Sequence, residues 1–302
     1  MLSRLISGLR RSARQSGGGP VAIEDRKIFA FGDLHGRFDM LSVAMAGVRA
    51  RSAGETRTPI LVFLGDYVDR GPQSREIIEL LCQIRAADPS ARFLMGNHEE
   101  AMLRFLDDLE VGLAWPRFGG VATMESYGVS MPANPDSMEE WRAVQAALRE
   151  AMPESHVRFL RGLEAKVDIG DYLFVHAGID PERALEEQRV RDLLWIREPF
   201  LSHTANHGKV VVHGHTPTTT PHIDGRRIGI DTGAYRGGPL TVLELHGAER
   251  SVWQVVDQGD GLAFQAWTHD PQAPPPERLD GKGPGRAASG GGRRRGQREL
   301  AA

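Results

Sequence analysis

Between residues 27 and 267 the chain alternates short, unbroken apolar runs with polar, glycine-containing turns. The runs at 27–31, 60–64, 92–95, 172–175, 209–212 and 227–230 stop at GDLHG, GDYVDRG, GNHEE, HAG, HGHTP and DTG. Short apolar, β-rich runs of this kind predict strands. Helical periodicity fills several gaps, at 38–51, 74–87 and 138–152, and three further strand-like runs at 240–245, 251–256 and 262–267 follow without helices between them. Strands alternating with helices and then a run of strands predict an α/β core with mixed or partly antiparallel sheets. The polar clusters fall at strand C-terminal ends, where open α/β sheets place their sites. Residues 101–170, with WPRFGGVATMESYG, break the strand pattern and predict a helical insertion leaning over that edge.

Composition adds boundaries to this picture. At 302 residues, 40% hydrophobic and 25% charged, the chain can bury a sizeable core. The single cysteine, Cys82, permits no internal disulfide and no cysteine-based zinc cluster, and points to a reducing, cytoplasmic setting. The net charge of −3 divides into about +4 for residues 1–20, +4 for 271–302 and −11 between them. An acidic body argues against general nucleic-acid binding. Residues 1–20 read as a flexible basic segment with no apolar run long enough for a signal-peptide core, and 271–302 as a disordered tail poor in large apolar side chains. The folded domain is therefore expected at 21–270, without a transmembrane segment.

The chemistry-bearing residues lie in those turns. Asp33 and His35, one residue apart after a strand, project to the same side of an extended chain. Asp66 ends the next run, Asn97 and His98 the third, and His176 and His215 two later ones. A carboxylate such as Asp66 can serve two cations at once, and oxygen and imidazole donors without thiolate suit a dinuclear site for Mn, Fe or Zn. Each motif alone is weak; five in order, each at a strand end and flanked by glycine, make a constellation. A cysteine-dependent phosphatase is excluded, because Cys82 lies in a helical pattern with Asp88 where the arginine would stand. None of the four lysines closes a phosphate-loop motif.

Together, GDLHG, GDYVDRG, GNHEE, HAG and HGHTP resemble the phosphoprotein phosphatase branch of the calcineurin-like metallophosphoesterases, most of all the small bacterial serine/threonine phosphatases. The resemblance spans about residues 27–245 and implies a four-layer sandwich of two mixed β-sheets flanked by helices. It implies that Asp33, His35 and Asp66 hold one metal and that Asp66, Asn97, His176 and His215 hold the second, Asp66 bridging. The family pattern uses the histidine before Thr-Pro, which leaves His213 a supporting or structural residue; Asp231 of DTG is a further candidate support.

Phosphate ester hydrolysis at such a site needs a hydroxide shared by two divalent metals for direct in-line attack. Arg70 and, by resemblance, Arg197 in LLWIREPF would clamp the phosphoryl oxygens, His98 would protonate the leaving group, and Asp69 would orient His98. The expected substrate is a phosphorylated protein or small phosphoester. A diadenosine tetraphosphate-type hydrolase on the same site, or a scaffold that has lost chemistry, are the rivals.

Overall fold

The computed structural model describes residues 19–270, 272 and 274–280. Six strands form one sheet and five the other. The first contains β1 (Ile28–Phe31), β2 (Ile60–Phe63), β3 (Arg92–Phe93), β9 (Leu240–His246), β10 (Glu249–Asp257) and β11 (Leu262–Trp267). Its order is β11-β10-β9-β1-β2-β3, with β1, β2 and β3 parallel and β9, β10 and β11 antiparallel. The second contains β4 (Lys166–Ile169), β5 (Tyr172–Val175), β6 (Val210–His213), β7 (His222–Ile223) and β8 (Arg227–Gly229), in the order β4-β5-β6-β8-β7. There β5, β6 and β8 are parallel, while β4 and β7 run antiparallel at the edges.

Period-two alternation distributes the strands between layers. Ile28 and Ala30 of β1, Ile60 and Val62 of β2, Phe174 of β5 and Val212 of β6 meet in the core between the sheets. Phe29, Phe31 and Phe63 face outward into a second core, under helices α1 (Phe38–Arg51), α2 (Ser74–Ala87), α3 (Asn97–Asp107) and α4 (Leu109–Gly112). Further helices α5 (Gly120–Ser126), α6 (Met138–Ala151) and α7 (Glu154–Arg161) extend that layer. Across the second sheet, Leu173, Val175 and Val211 pack against Leu193 and Leu194 of α8 (Val190–Trp195). Two mixed sheets between helical layers is the sandwich expected.

The insertion differs from the expectation in its limits. Its start lies inside α3, which begins at the ligand-type residue Asn97, and residues 166–169 form strand β4 paired with β5. Its helices are amphipathic: Trp141, Val144 and Leu148 bury one stripe of α6, which starts where Ser137 Oγ accepts from Glu140 N (3.2 Å). The tail also differs. Residues 277–279 run alongside 217–219, with Thr219 N donating to Glu277 O (2.9 Å) and Leu279 N to Pro217 O (2.8 Å), so the packed body extends past 270. Residues 1–18 and 281–302, the greater part of both basic ends, lie outside the described residues. Among the described residues no helix is long and apolar enough to cross a membrane.

Candidate metal centre

The turns after β1, β2, β3, β5 and β6 converge on one edge of the sandwich. Among the described residues, the only non-glycine residues with positive φ are there: His35 (41°), Asp66 (52°), Asp69 (74°), Arg70 (70°) and His215 (63°). Side chains rarely take this conformation, and its concentration at one place marks backbone held for function. Two glycines permit the crowding. A Cβ on Gly96 would overlap the amide and carboxylate of Asp66, and one on Gly214 would overlap Asp33 Oδ1.

Asp66 stands at the centre. Its Oδ2 lies 3.4 Å from His35 Nε2 and 3.8 Å from His98 Nε2, and its Oδ1 lies 3.3 Å from His176 Nε2. Two buried groups able to hold a cation share it: His35, Asp66 and His98; and Asp66, His176 and His215. Asn97 Oδ1 is 3.0 Å from His176 Nε2 and 2.8 Å from His215 Nδ1. Asp33 accepts from His215 N (3.1 and 3.2 Å), which joins the first ligand turn to the last.

The donor set fits divalent cations. Burial pushes the pKa values of His35, His176 and His215 below the ordinary range, so all three present neutral rings with lone pairs. His35 and His176 turn Nδ1 to the carbonyls of Val68 (2.9 Å) and Leu64 (2.8 Å), leaving Nε2 toward Asp66. His215 Nε2 is buried with no hydrogen-bond partner. Burial, then the neighbouring charges of Asp231 and Asp66, push Asp33 up, and burial raises Asp231 to about 6. Burial would raise Asp66 too, yet its carboxyl lies below the usual range, with His98, whose own pKa is raised, among the imidazoles beside it. Carboxylates crowded in this way are relieved by a cation.

Beside these groups lies a proton-bearing pair. His98 Nδ1 is 2.7 Å from Asp69 Oδ2, and Asp69 also accepts from Trp115 Nε1 (2.9 Å) and Thr123 Oγ1 (2.7 Å). Burial opposes charge on His98, yet Asp66 and the bond to Asp69 outweigh it and raise its pKa. Arg70 Nη1 donates to His35 Nε2 (2.9 Å) and Nη2 lies 3.0 Å from His98 Nε2, while the guanidinium stacks 4.3 Å over Tyr235.

Arg197 is at the rim. Its Nη2 donates weakly to His215 O (3.4 Å), and its Nε lies 3.5 Å from Asp280 Oδ2. His213 faces away, with Nε2 accepting from Arg227 Nη1 (3.1 Å) and its ring against Phe200, a structural place. Asp231 Oδ1 accepts from Gly233 N (3.0 Å) beside Asp33. Thus Asp33, His35, Asp66, Asn97, His98, His176 and His215 come together with Asp69 and Arg70, and Arg197 stands at their edge.

Glu99 was not among the expected residues. Its carboxylate accepts from the amides of Asp66 (2.9 Å), Tyr67 (2.7 Å), Val68 (3.1 Å) and Gly96 (3.0 Å), tying the second and third turns together. Burial and the Asp66 charge push its pKa up to about 8, against amides that favour the ionised form. Its only signal in the sequence is its place directly after Asn-His in GNHEE. Trp115, Thr123 and Tyr235 carried no signal that set them apart.

A family model described as calcineurin-like phosphoesterase matches residues 26–247. The chain is 28% identical over 239 residues to a bis(5'-nucleosyl)-tetraphosphatase PrpE (asymmetrical) of Geobacillus sp. (strain WCH70), covering 72% of this chain and 89% of that protein. Identity is 27% over 199 residues to the protein of the same description from Geobacillus thermodenitrificans (strain NG80-2), covering 61% and 74%. The solved cold-active protein-tyrosine phosphatase of a psychrophilic Shewanella sp. shares the fold, with TM-score 0.51, 17% identity and 81% of each chain covered. The chain belongs to the calcineurin-like phosphoesterase family, and its Asp66-centred clusters lie where the matched region brings five strand ends together.

Proposed function

We propose that the chain is a metal-dependent phosphomonoesterase whose substrate is a protein phosphorylated on serine or threonine. The observation that carries this reading is the His98–Asp69 pair beside Arg70 at the Asp66 clusters. Asp33, His35 and Asp66 would hold one cation, and Asp66, Asn97, His176 and His215 a second, with manganese fitting the mixed oxygen and imidazole donors. When bound, such a pair supplies a nucleophilic water near neutral pH and neutralises phosphoryl charge.

The chain's own residues do the rest. Arg70 and Arg197 offer guanidinium forks to the non-bridging phosphoryl oxygens, which hold phosphorus for in-line attack. As the water oxygen bonds to phosphorus, the ester P–O bond breaks and its electron pair leaves on the side-chain oxygen. His98 gives that oxygen a proton, so the products are a free hydroxyl side chain and inorganic phosphate. Asp69 holds the imidazolium that serves as donor, and Trp115 and Thr123 hold Asp69.

An aliphatic alkoxide is a poor leaving group and depends on a positioned acid; a nucleotide phosphate leaves as a stable anion and does not. The buried, carboxylate-oriented His98 therefore favours an alkyl phosphoester. The name of the curated relatives favours a second reading, cleavage of dinucleoside tetraphosphates on the same cations.

His98→Ala separates the two. It should lower turnover of a phosphoserine peptide by about 10²–10⁴-fold, the usual worth of a general acid, and that of p-nitrophenyl phosphate by roughly tenfold at most. Metal content should not change, because Asp33 rather than His98 is assigned to the first cation with His35 and Asp66. Equal losses on both esters would overturn the assignment of His98, and cleavage of diadenosine tetraphosphate with the peptide left intact would establish the second reading.

A further inference from the structure

The segment that leaves the last ligand turn carries a second chain segment with it. Two residues after His215, Pro217 O accepts from Leu279 N (2.8 Å), and Thr219 N donates to Glu277 O (2.9 Å). Glu277 N returns a bond to Thr219 Oγ1 (3.1 Å), and Thr218 and Arg278 pair as an antiparallel bridge. Side chains fasten the far edge. Arg236 donates to Leu279 O, Arg278 Nη1 lies 3.5 Å from Glu198 Oε1, and the Leu279 side chain lies against Gly233 of the DTG turn. Residues 276–278 are thus laid alongside 217–219 and 279–280 turn at the rim of the metal centre, anchored on both sides.

The segment ends in a carboxylate on the clamp. Asp280 Oδ2 is 3.5 Å from Arg197 Nε, an ion-pair contact without a hydrogen bond, while Arg278 donates to both its oxygens (Nε to Oδ1 3.3 Å, Nη2 to Oδ2 2.7 Å), and its side chain is only 14% exposed. Arg197 in turn reaches the carbonyl of His215. We propose that residues 276–280 form an autoinhibitory strap: Asp280 occupies the guanidinium that would otherwise receive a substrate phosphoryl group, and the incoming phosphoryl group must displace it. This rests on the part of the proposed mechanism that gives Arg197 a phosphoryl oxygen. A monoanionic carboxylate is a weaker partner for a guanidinium fork than a phosphoryl dianion, so the strap raises the threshold for binding without closing the site. The carboxylate plays the part of the phosphoryl group, delivered by the turn that follows the segment paired to 217–219.

The test is binding of inorganic phosphate to the metal-loaded, full-length protein by calorimetry, alongside hydrolysis of p-nitrophenyl phosphate. Asp280→Asn should tighten phosphate binding and lower KM by about two- to fivefold, the worth of a partly exposed ion pair, with kcat unchanged. Arg197→Ala should weaken phosphate binding, and Asp280→Asn should add nothing in that background. A folded Asp280→Asn protein with unchanged or weaker phosphate affinity would overturn the strap, the weaker case making Asp280 a residue that positions Arg197. Equal tightening with and without Arg197 would also overturn it, since only overall charge would then be acting. If the protein hydrolyses neither peptide nor dinucleotide, phosphate binding still reports on the strap, so the two proposals fail separately.

Discussion

At the scale of single residues, the site is organised by groups that need not touch a substrate. Glu99 takes amide bonds from two ligand turns at once, and the strained φ of Asp66 is held in place by the amide that Glu99 receives. Glu99→Gln turns one oxygen into an NH₂ that faces amide N–H groups. It should cost about 1–3 kcal/mol, the penalty of an unsatisfied buried donor, read as a lower Tm, and it should weaken metal retention. Asp66→Asn should lose metal altogether on gel filtration, because the one side chain common to both clusters then offers a single neutral oxygen. A variant that kept full metal content would remove Asp66 from the bridging position.

At the scale of elements, the insertion is part of the catalytic architecture as well as a cover. Trp115 and Thr123 reach Asp69 from a short 3₁₀ turn (Trp115–Phe118) and from α5, and Gly119 between them accepts from Arg70 N (3.1 Å). Packing of α6 should therefore be felt at the site. Leu148, fully buried on α6, should cost about 2–5 kcal/mol when replaced by alanine, with a loss of turnover larger than that of metal content. At the other edge, Asp224 caps the β7–β8 hairpin. Burial would raise its pKa, but the amides of Arg227 (2.8 Å) and Arg226 (2.7 Å) outweigh burial and bring it to about 2. Its native pKa is depressed, so its contribution is complete above the ordinary carboxylate range and is lost as pH falls through that range toward 2. Asp224→Ala should thus lower Tm at pH 7 and leave it nearly unchanged near pH 2; equal losses at both would show that the charge is not what stabilises the turn.

At the scale of the whole molecule, metal and folding are linked. Three strand ends from two sheets, those of β1, β2 and β8, bring Asp33, Asp66 and Asp231 together in a buried cluster, with burial and mutual repulsion raising Asp33 and Asp231. Cations that bind the native state stabilise it by mass action, by about 2.7 kcal/mol at a concentration a hundred times Kd. Treatment with chelator should therefore lower Tm by several degrees, and restored Mn²⁺ should recover it. An unchanged Tm would place the cations outside the described clusters.

The sequence by itself determined the strands and the ligand turns. Unbroken apolar runs encode burial on both faces, and a polar cluster with glycine at each end can serve only where chain direction turns at the sheet edge. Asp33, His35, Asp66, Asn97, His98, His176 and His215 were legible for that reason, as were α1, α2 and α6 through their periodicity. The roles set between distant residues were not legible. Trp115 and Asp69, Glu99 and Asp66, and Asp280 and Arg197 meet only because helices and a terminal segment pack on the finished sandwich. A tail rich in proline and glycine lacks the apolar side chains that signal burial, yet backbone hydrogen bonds and ion pairs place residues 276–280 along the rim. Periodicity reports how one element meets its core; which side chains then face one another across the site is decided by packing between elements, and that only the tertiary structure supplies.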